Sequence, residues 1–405
     1  MRFRRNLTGM VVLLGLVLAG CASDAELDTL QPQSDTAREI DDLLDIVLVI
    51  AGIILVAVVG AVAWLGWKNR VKDYEGENDE FPEQISHNNT LEIGWTIVPA
   101  LIMVVVAVLT ITTHIAINDT EANAIEVEVA GESQSWEPKI VVVGQQWWWE
   151  FRYYFGEDVT PDSLGDPMNL PPADIVTSGQ MIIPTGQEVE LLVTSRDVIH
   201  SFWIPALNGK RDARPGFFAP WTIEADDPGV YFGQCTEFCG LSHSRMRMQT
   251  VAMDAADFQQ WVDEQMQPAA AASGDAAVRG ETAFVANCSG CHLVDGLNDD
   301  TYDGAEVESG SAPDLTHFAS RTTFAGGILQ TYNEDGSFNR DDMAAWIRDP
   351  AEVKANAAND LPDGTLPRGM PALGLSERTI SDLVAYLETL GPRPTDEIIA
   401  ASEVD

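Results

Sequence analysis

The sequence has few basic residues and few cysteines. Its 405 residues include 23 Lys and Arg against 63 Asp and Glu, which gives a formal net charge of −40. Nucleic-acid binding needs clustered Lys and Arg to neutralise phosphates, so this composition excludes a nucleic-acid partner. Two interpretations of the acidic surface stay open, solvation in a saline medium and long-range attraction of a basic redox partner. The length exceeds one typical domain, and we expect two soluble domains plus membrane segments.

Only five cysteines are present, and each lies in a short chemical motif. Cys21 follows Leu-Ala-Gly, Cys235 and Cys239 form one pair, and Cys288 and Cys291 form another. No thiol is left over for a structural disulfide, so the cysteine count does not indicate the redox compartment. Targeting signals have to indicate it instead.

The N-terminus carries a targeting signal. Three arginines precede an apolar run that ends just before Cys21. A basic region, a short apolar region and small residues before a break predict a secretory signal peptide over residues 1–20. Leu-Ala-Gly-Cys resembles the bacterial lipoprotein box, in which the Cys is lipidated and becomes the new N-terminus. The alternative is an uncleaved anchor with an unrelated Cys.

Two later segments are long and apolar enough to span a membrane as helices, residues 46–67 and residues 93–117. Basic residues follow the first segment directly, and acidic residues precede it. The positive-inside rule therefore predicts that the 68–92 loop is cytoplasmic. The N-terminal segment 21–45 and everything from residue 118 onwards are then extracytoplasmic.

The rest of the chain divides by composition. Short β-rich runs separated by turn-rich segments predict an all-β sandwich or barrel over 118–265. Small residues over 266–277 predict a linker, and the helical composition of 278–392 predicts a second domain. Residues 393–405 form an acidic tail. We assign no role to the stretch 155–180.

Cys235, Cys239, His243 and Met246 lie within twelve residues of one another. Soft sulfur with imidazole suits copper, and a weak axial Met is known in copper sites. Two cysteines can bridge two copper ions, but each ion then needs its own imidazole, and His200 is the candidate for the second. A zinc site is one alternative, although it would leave Met246 without a role. A copper chaperone of thioredoxin type is another, but there the second His would follow the cysteine pair.

These stretches resemble the copper-bearing subunit II of cytochrome c oxidases. The resemblance covers roughly residues 40 to 265 and includes further motifs at 91–99, 146–149 and 209–216. It implies a cupredoxin-like Greek-key β-sandwich in which Cys235 and Cys239 bridge two copper ions. By the same resemblance His200 and Met246 bind one ion, while His243 and the backbone carbonyl of Glu237 bind the other.

The resemblance implies three further roles. The side chain of Glu237 would point towards a Mg²⁺ or Mn²⁺ site shared with subunit I. Trp149, with an exposed indole, would be the residue through which electrons enter; the alternative is an aromatic of the sandwich core. Glu92 would lie at the mouth of a proton path in subunit I, and its alternative is a solvated interfacial carboxylate.

Cys288-Ser-Gly-Cys291-His292 is the signature of covalent haem c attachment, with two thioethers on the porphyrin and the His on the iron. A helix-like stretch with Gly280 precedes it, and a closing amphipathic helix follows near the end of the domain. This order resembles the all-α class I cytochromes c, whose first and last helices cross at a small residue.

The second axial ligand of the haem iron is less constrained by the motif. Met370 precedes a proline in a Gly-rich loop and is our choice, because a Met ligand raises the reduction potential. His317 would instead give a bis-His haem. Met343 lies in a predicted helix, where it fits a core position better.

Taken together, the resemblances imply a membrane subunit of a cytochrome c oxidase, an oxidoreductase and proton translocase. Electrons would reach haem c, pass to the copper pair and leave for haem a in subunit I, where oxygen is reduced and protons are pumped. Expected partners are subunits I and III and a donor, cytochrome c or a cytochrome bc complex. The expected location is the bacterial plasma membrane. The alternative function is a copper- and haem-binding assembly or chaperone protein.

Overall fold

The structure is a computed structural model that describes residues 25–70, 86–118, 123–155, 159–298, 312–357 and 368–403. The chain forms two compact units. One is Arg38–Thr120, and the other joins Met1–Ala37 to Glu121–Asp405. The predicted signal peptide and Cys21 lie outside the described residues.

The smaller unit contains two helices, α1 (Asp35–Lys68) and α2 (Asn89–Ala116). Both are long and apolar enough to cross a membrane. The first begins at Asp35, well before the predicted span 46–67, because acidic side chains in a first helical turn favour the N-terminal end of the helix dipole.

The domain that follows is a β-sandwich, as the sequence predicts. Its strands are β1 (Ile125–Val129), β2 (Glu132–Trp136), β3 (Lys139–Gln145), β4 (Trp148–Tyr153), β5 (Ile175–Ser178), β6 (Gln180–Pro184), β7 (Val189–Ser195), β8 (His200–Trp203), β9 (Lys210–Ala213), β10 (Ala219–Ile223), β11 (Gly229–Gln234) and β12 (Arg247–Met253). One sheet has the order β10-β7-β3-β4-β5 and another has β11-β12-β6. Strands β3 and β4 are buried along their length, except for the half-buried Lys139. The centre of the sandwich thus combines the apolar run of β3 with β4, where the buried Glu150 and Arg152 form an ion pair.

The stretch without a predicted role packs against this sheet. It contains the short helix α3 (Pro161–Leu164) and leads into β5, which pairs with β4. Val159, Leu164 and Leu170 form a cluster with Val141 and other buried residues of the sandwich. The stretch thus covers apolar side chains that would otherwise face solvent.

The sandwich ends in α4 (Ala255–Gln265), and a C-terminal domain follows. Its elements are α5 (Asp275–Asn287), β13 (Thr323–Phe324), β14 (Leu329–Gln330), α6 (Arg340–Arg348), α7 (Pro350–Val353), α8 (Glu377–Leu387) and α9 (Asp396–Ala401). Helices α5 and α8 cross at Gly280, where a Cβ would lie only 2.7 Å from Cβ of Tyr386. The predicted crossing at a small residue is confirmed, whereas the short β13–β14 hairpin is an exception to the all-α prediction.

The predicted linker and tail are both packed. The backbone N–H of Ala269 donates to the carbonyl of Asp295, and His317 Nε2 lies 2.9 Å from the carbonyl oxygen of Gln267. The predicted acidic tail contains α9, and Ser402 after it is fully buried. Backbone carbonyl and N–H groups of the connecting segment thus find partners in the C-terminal domain.

Candidate functional site

Donor atoms of the predicted ligands converge where β11 ends and β12 begins. The Sγ atoms of Cys235 and Cys239 lie 3.8 Å apart, and Cys235 Sγ lies 3.3 Å from the carbonyl oxygen of Glu237. His243 Nδ1 is 3.5 Å from Cys239 Sγ, and Met246 Sδ is 3.9 Å from it. The short loop between two hydrogen-bonded strands brings five of the six donors together.

The sixth donor comes from β8. Nδ1 of His200 lies 3.9 Å from Cys235 Sγ, and Nε2 lies 2.8 Å from Oδ1 of Asp197. The ring packs against Gly144, where a Cβ would lie 2.8 Å from it, and Trp149 meets it edge-on at 5.9 Å. His200 is fully buried, so these contacts fix both its position and its tautomer.

The charges of the site favour metal binding. The hydrogen bond between the two thiols lowers the pKa of Cys235 and raises the pKa of Cys239, because the pair shares a proton. Burial opposes a positive charge on His200, but hydrogen bonds to Asp197 and Cys235 raise its pKa above the ordinary value. A metal ion that displaces the remaining protons would meet a buried site already organised around one thiolate.

The donor set fits copper better than zinc. Met246 is fully buried and its sulfur faces the thiols, although structural zinc sites use only Cys, His and carboxylate ligands. Two thiolates, two imidazoles, a thioether and a carbonyl form the soft, mixed set that copper accepts. The two sulfurs lie close together among these donors, so all six can contribute to one metal centre.

Trp149 lies inside the sandwich and not at its surface. Its side chain is fully buried, because β4 is an inner strand covered on both faces. The expectation of an exposed indole is wrong, and Trp149 supports His200 instead. Trp147, in the turn before β4, donates from Nε1 to the carbonyl of Cys239 at 3.0 Å. Gln146 Nε2 donates to the same carbonyl at 2.7 Å.

Two contributors were missed by sequence reasoning. Asp197 orients His200. Its position three residues before the His could have indicated this role from the sequence. Lys354, in the C-terminal domain, donates to the carbonyl of Trp147 at 2.6 Å. The sequence around Lys354 did not indicate this contact, because the acceptor carbonyl lies 207 residues away in the chain.

The haem-attachment motif lies at the end of α5. Cys288 is the C-cap residue, Cys291 is exposed, and His292 Nδ1 lies 2.7 Å from the carbonyl oxygen of Pro313. That contact fixes the ring and leaves Nε2 available to an iron. Burial raises the pKa of Cys288 to about 11, in contrast to the lowered pKa of Cys235. Burial therefore does not favour a thiolate at Cys288.

The candidates for the second axial ligand separate clearly. Met343 is buried in the core of the C-terminal domain, as predicted. His317 is buried, and its Nε2 lies within hydrogen-bonding distance of the carbonyls of Gln265 and Gln267, so that nitrogen is engaged at the linker. Met370 lies half-buried in a loop, where its carbonyl accepts from Asn356. Its side chain remains the predicted ligand.

Glu92 and Glu237 were the two predicted carboxylates. Oε1 of Glu92 accepts from the backbone N–H of Asn88, so Glu92 caps the start of α2. Glu237 is exposed beside the thiols, and its neighbour Phe238 has 77% of its side chain exposed.

The fold and the sites define a membrane-attached protein that pairs a dithiolate metal site with a c-type haem-attachment domain. Family models described as the periplasmic and the transmembrane domain of cytochrome c oxidase subunit II match residues 139–253 and 22–112, and a cytochrome c model matches residues 277–391. The chain belongs to the cytochrome c oxidase subunit II family, with a fused cytochrome c domain.

Relatives match over nearly the whole length. Cytochrome c oxidase subunit 2 of Alkalihalophilus pseudofirmus is 31% identical over 93% of this chain and 94% of that protein. The Bacillus subtilis protein of the same name is 30% identical over 94% and 96%. The crystal structure of the periplasmic domain of subunit II from Bradyrhizobium japonicum is 26% identical, covering 32% of this chain and 93% of that one, with a TM-score of 0.25.

Membership of this family has consequences for the whole chain. The family implies a copper site in the β-sandwich and a haem in the C-terminal domain. The chain is a subunit of a haem–copper oxidase, an oxidoreductase that contains partner subunits. It is a membrane protein with a periplasmic domain.

Proposed function

We propose that this subunit takes electrons in at its haem domain and delivers them through its copper domain to haem a in subunit I. Copper and haem c, when bound, supply reversible one-electron chemistry. The chain's residues hold the two groups, bury them and fix the path between them. Oxygen reduction and proton pumping belong to subunit I.

The observation that carries this proposal is a hydrogen-bonded connection between the two domains. Lys354 donates to the carbonyl of Trp147, and the indole of Trp147 donates to the carbonyl of Cys239. The haem domain therefore touches the residue that contacts a copper ligand. We assign electron transfer from the haem domain to the copper site to Trp147 in place of Trp149. Of these two residues, only Trp147 has hydrogen bonds both to the haem domain and to a copper ligand.

The proposed copper site has two ions. Cys235 and Cys239 would hold both ions, and His200, His243, Met246 and the carbonyl of Glu237 would be their other ligands. Asp197 holds the His200 tautomer.

In the haem domain, Cys288 and Cys291 hold the porphyrin through thioethers. His292 and Met370 complete the iron coordination, with Pro313 holding His292 in place. A Met ligand keeps the potential high enough for delivery to copper.

Exposed apolar residues flank the copper ligands. Phe238 and Leu241 lie on the ligand loop, and Val198 and Ile199 precede His200. We assign this surface to subunit I, with the Glu237 carboxylate facing a shared Mg²⁺ or Mn²⁺. Subunit III, a cytochrome c or bc-type donor, a lipidated Cys21, Glu92 at a proton path and a bacterial plasma membrane complete the proposal.

Metal analysis and rapid kinetics test the proposal together. The purified complex should contain two copper ions and one covalent haem in this chain, and reduced haem should pass its electron to copper. Trp147→Phe removes one hydrogen bond and should slow that step about tenfold, the effect of roughly 1.4 kcal/mol.

Trp136→Phe is the matched control, because its indole also donates to a carbonyl, that of Tyr154. It should transfer electrons at the parent rate. Copper that passes readily to a chelator, with no electron transfer from haem, would instead indicate the assembly-protein alternative.

A further inference from the structure

The C-terminal domain contacts the β-sandwich at the base of the copper site. Two loops of the C-terminal domain, residues 325–327 and 353–355, make the contacts nearest the ligands, and Thr322 and Ser402 bond to Gln249 elsewhere. The carbonyls of Val353 and Ala355 accept from the side chains of Arg245 and Ser242, on either side of the ligand His243. The acceptors in these two hydrogen bonds are backbone carbonyls.

Lys354 lies between these two carbonyls in the chain and points into the interface. Only 4% of it is exposed. Its Nζ donates to the Trp147 carbonyl at 2.6 Å and to the Ala325 carbonyl at 2.8 Å. One amine thus ties a loop of the haem domain to the turn that contacts Cys239.

The protonation state of the Lys354 amine is set by its burial and by the lack of an ion-pair partner among the described residues. Among the described residues no carboxylate lies within ion-pair distance of Nζ. Burial and the charge of Arg245 lower the pKa of Lys354 to about 7. A neutral amine has two N–H groups, and two carbonyls accept them, so the uncharged form satisfies the site completely.

Two glycines allow the loops to come this close. Gly326 has φ +75° and Gly327 has φ +77°. A Cβ on Gly326 would lie 2.5 Å from the Trp147 carbonyl oxygen, and a Cβ on Gly327 would lie 2.9 Å from the backbone of Arg247. The Arg247 N–H donates to the Gly326 carbonyl at 2.9 Å, so the two backbones are directly bonded.

We propose that Lys354 is a positioning residue that, with Gly326 and Gly327, locks the haem domain permanently onto Trp147. The inference rests on the proposed electron transfer between the two domains. Electron delivery to copper is then a step within one fixed structure, and the haem domain does not search for its site at each turnover. Because the Lys354 amine is buried and bonds to carbonyl groups, salt screens this part of the contact little.

The test uses the intact, metal- and haem-loaded oxidase complex. Lys354→Met keeps the length of the side chain and removes both of its N–H donors. Gly327→Ala disrupts the same contact by adding a methyl group that clashes with the backbone of Arg247. Two readouts are followed, hydrogen exchange of the Arg247 amide and the rate of electron transfer from haem to copper. Three further measurements report whether each centre is intact. They are the rate at which an external donor reduces the haem, the haem absorption spectrum and the copper electron-spin signal.

Both variants should raise Arg247 exchange and slow haem-to-copper transfer by at least about tenfold, or roughly 1.4 kcal/mol. The slowed step should also become dependent on ionic strength, while the donor reaction and both spectra keep their parent values. A loss of folding alone would change the spectra and the donor reaction.

Two controls match the substitutions. Arg348→Met removes an exposed cation of the same domain, paired with Glu377. Gly336→Ala adds a methyl at another positive φ, +76°, in a turn outside this contact. Both should behave as the parent.

Parent-like exchange and rates in both Lys354→Met and Gly327→Ala would overturn the inference. If the parent itself passes no electron from haem to copper, the proposed function fails. In that case, hydrogen exchange of the Arg247 amide still tests whether Lys354 and the two glycines hold the haem domain in place.

Discussion

Oδ1 of Asp197 lies 2.8 Å from Nε2 of His200, and both side chains are buried. The carboxylate thereby directs Nδ1 of the imidazole towards Cys235. Asp197 Oδ2 also accepts from the backbone N–H of Gln146 and lies 3.8 Å from Arg368 of the haem domain. One carboxylate therefore connects a copper ligand, the aromatic turn and the haem domain.

Asp197→Asn should weaken copper binding. An amide keeps the shape of the side chain but loses the charge that holds the Nε2–H tautomer of His200. We expect affinity to fall about 10- to 100-fold, as for other partners of metal-bound His. Competition with a chelator measures it, and Asp212→Asn on the exposed face of β9 is the control. Unchanged copper retention in Asp197→Asn would contradict the role assigned to this carboxylate.

Cys239→Ser and Met246→Leu should differ in kind. The first removes a bridge common to both copper ions, so the electron-spin signal delocalised over the pair should disappear. The second removes one weak ligand and should shift the reduction potential while copper stays bound. An intact delocalised signal in Cys239→Ser would show that this thiol does not bridge.

Met370→His should leave the haem covalently attached and lower its reduction potential, because a second imidazole replaces the thioether. A redox titration of the haem absorption measures the shift. Met343→Leu is the control, since Met343 is a buried residue of the domain core. A large shift in Met343→Leu, with none in Met370→His, would reverse the assignment.

Docking of the haem domain should depend on pH through Lys354. Its pKa is lowered from 10.5 to about 7 by burial and by Arg245. In a released domain the amine would keep its ordinary pKa, so the released state binds more protons between these two values. Docking should therefore strengthen as pH rises from about 7 towards 10.5, by up to about tenfold per pH unit.

Below pH 7 both states are protonated, and docking bears the full cost of burying the charge. Hydrogen exchange of the Arg247 amide across this range measures the effect, and Lys354→Met should remove the dependence. Docking that weakens between pH 7 and 10 would contradict a neutral amine.

The metal and haem motifs were readable from the sequence because their residues are close together in the chain. Cys235, Cys239, His243 and Met246 share one loop, and local spacing alone brought them together. The longer apolar strands, such as β3 and β12, were likewise visible. Short strands such as β8 and β9 were missed, since four residues carry too little periodicity to stand out.

What the sequence did not predict depends on tertiary contacts. The burial of Trp149 follows from the sheet order β10-β7-β3-β4-β5, which places β4 inside the sheet. The part played by Trp147 follows from a carbonyl 92 residues away, and that of Lys354 from one 207 residues away. Neither pairing leaves a local pattern.

Near the copper ligands, the contact between the two domains uses backbone carbonyls as acceptors. The carbonyls of Trp147, Gly326, Val353 and Ala355 accept hydrogen bonds across it, and any side chain can follow a carbonyl. Side chains on either face can thus diverge between related oxidases without changing the groups that meet. We therefore expect little correlated substitution between the two domains among related oxidases. The residues that related oxidases share at this contact should be the two glycines and the lysine.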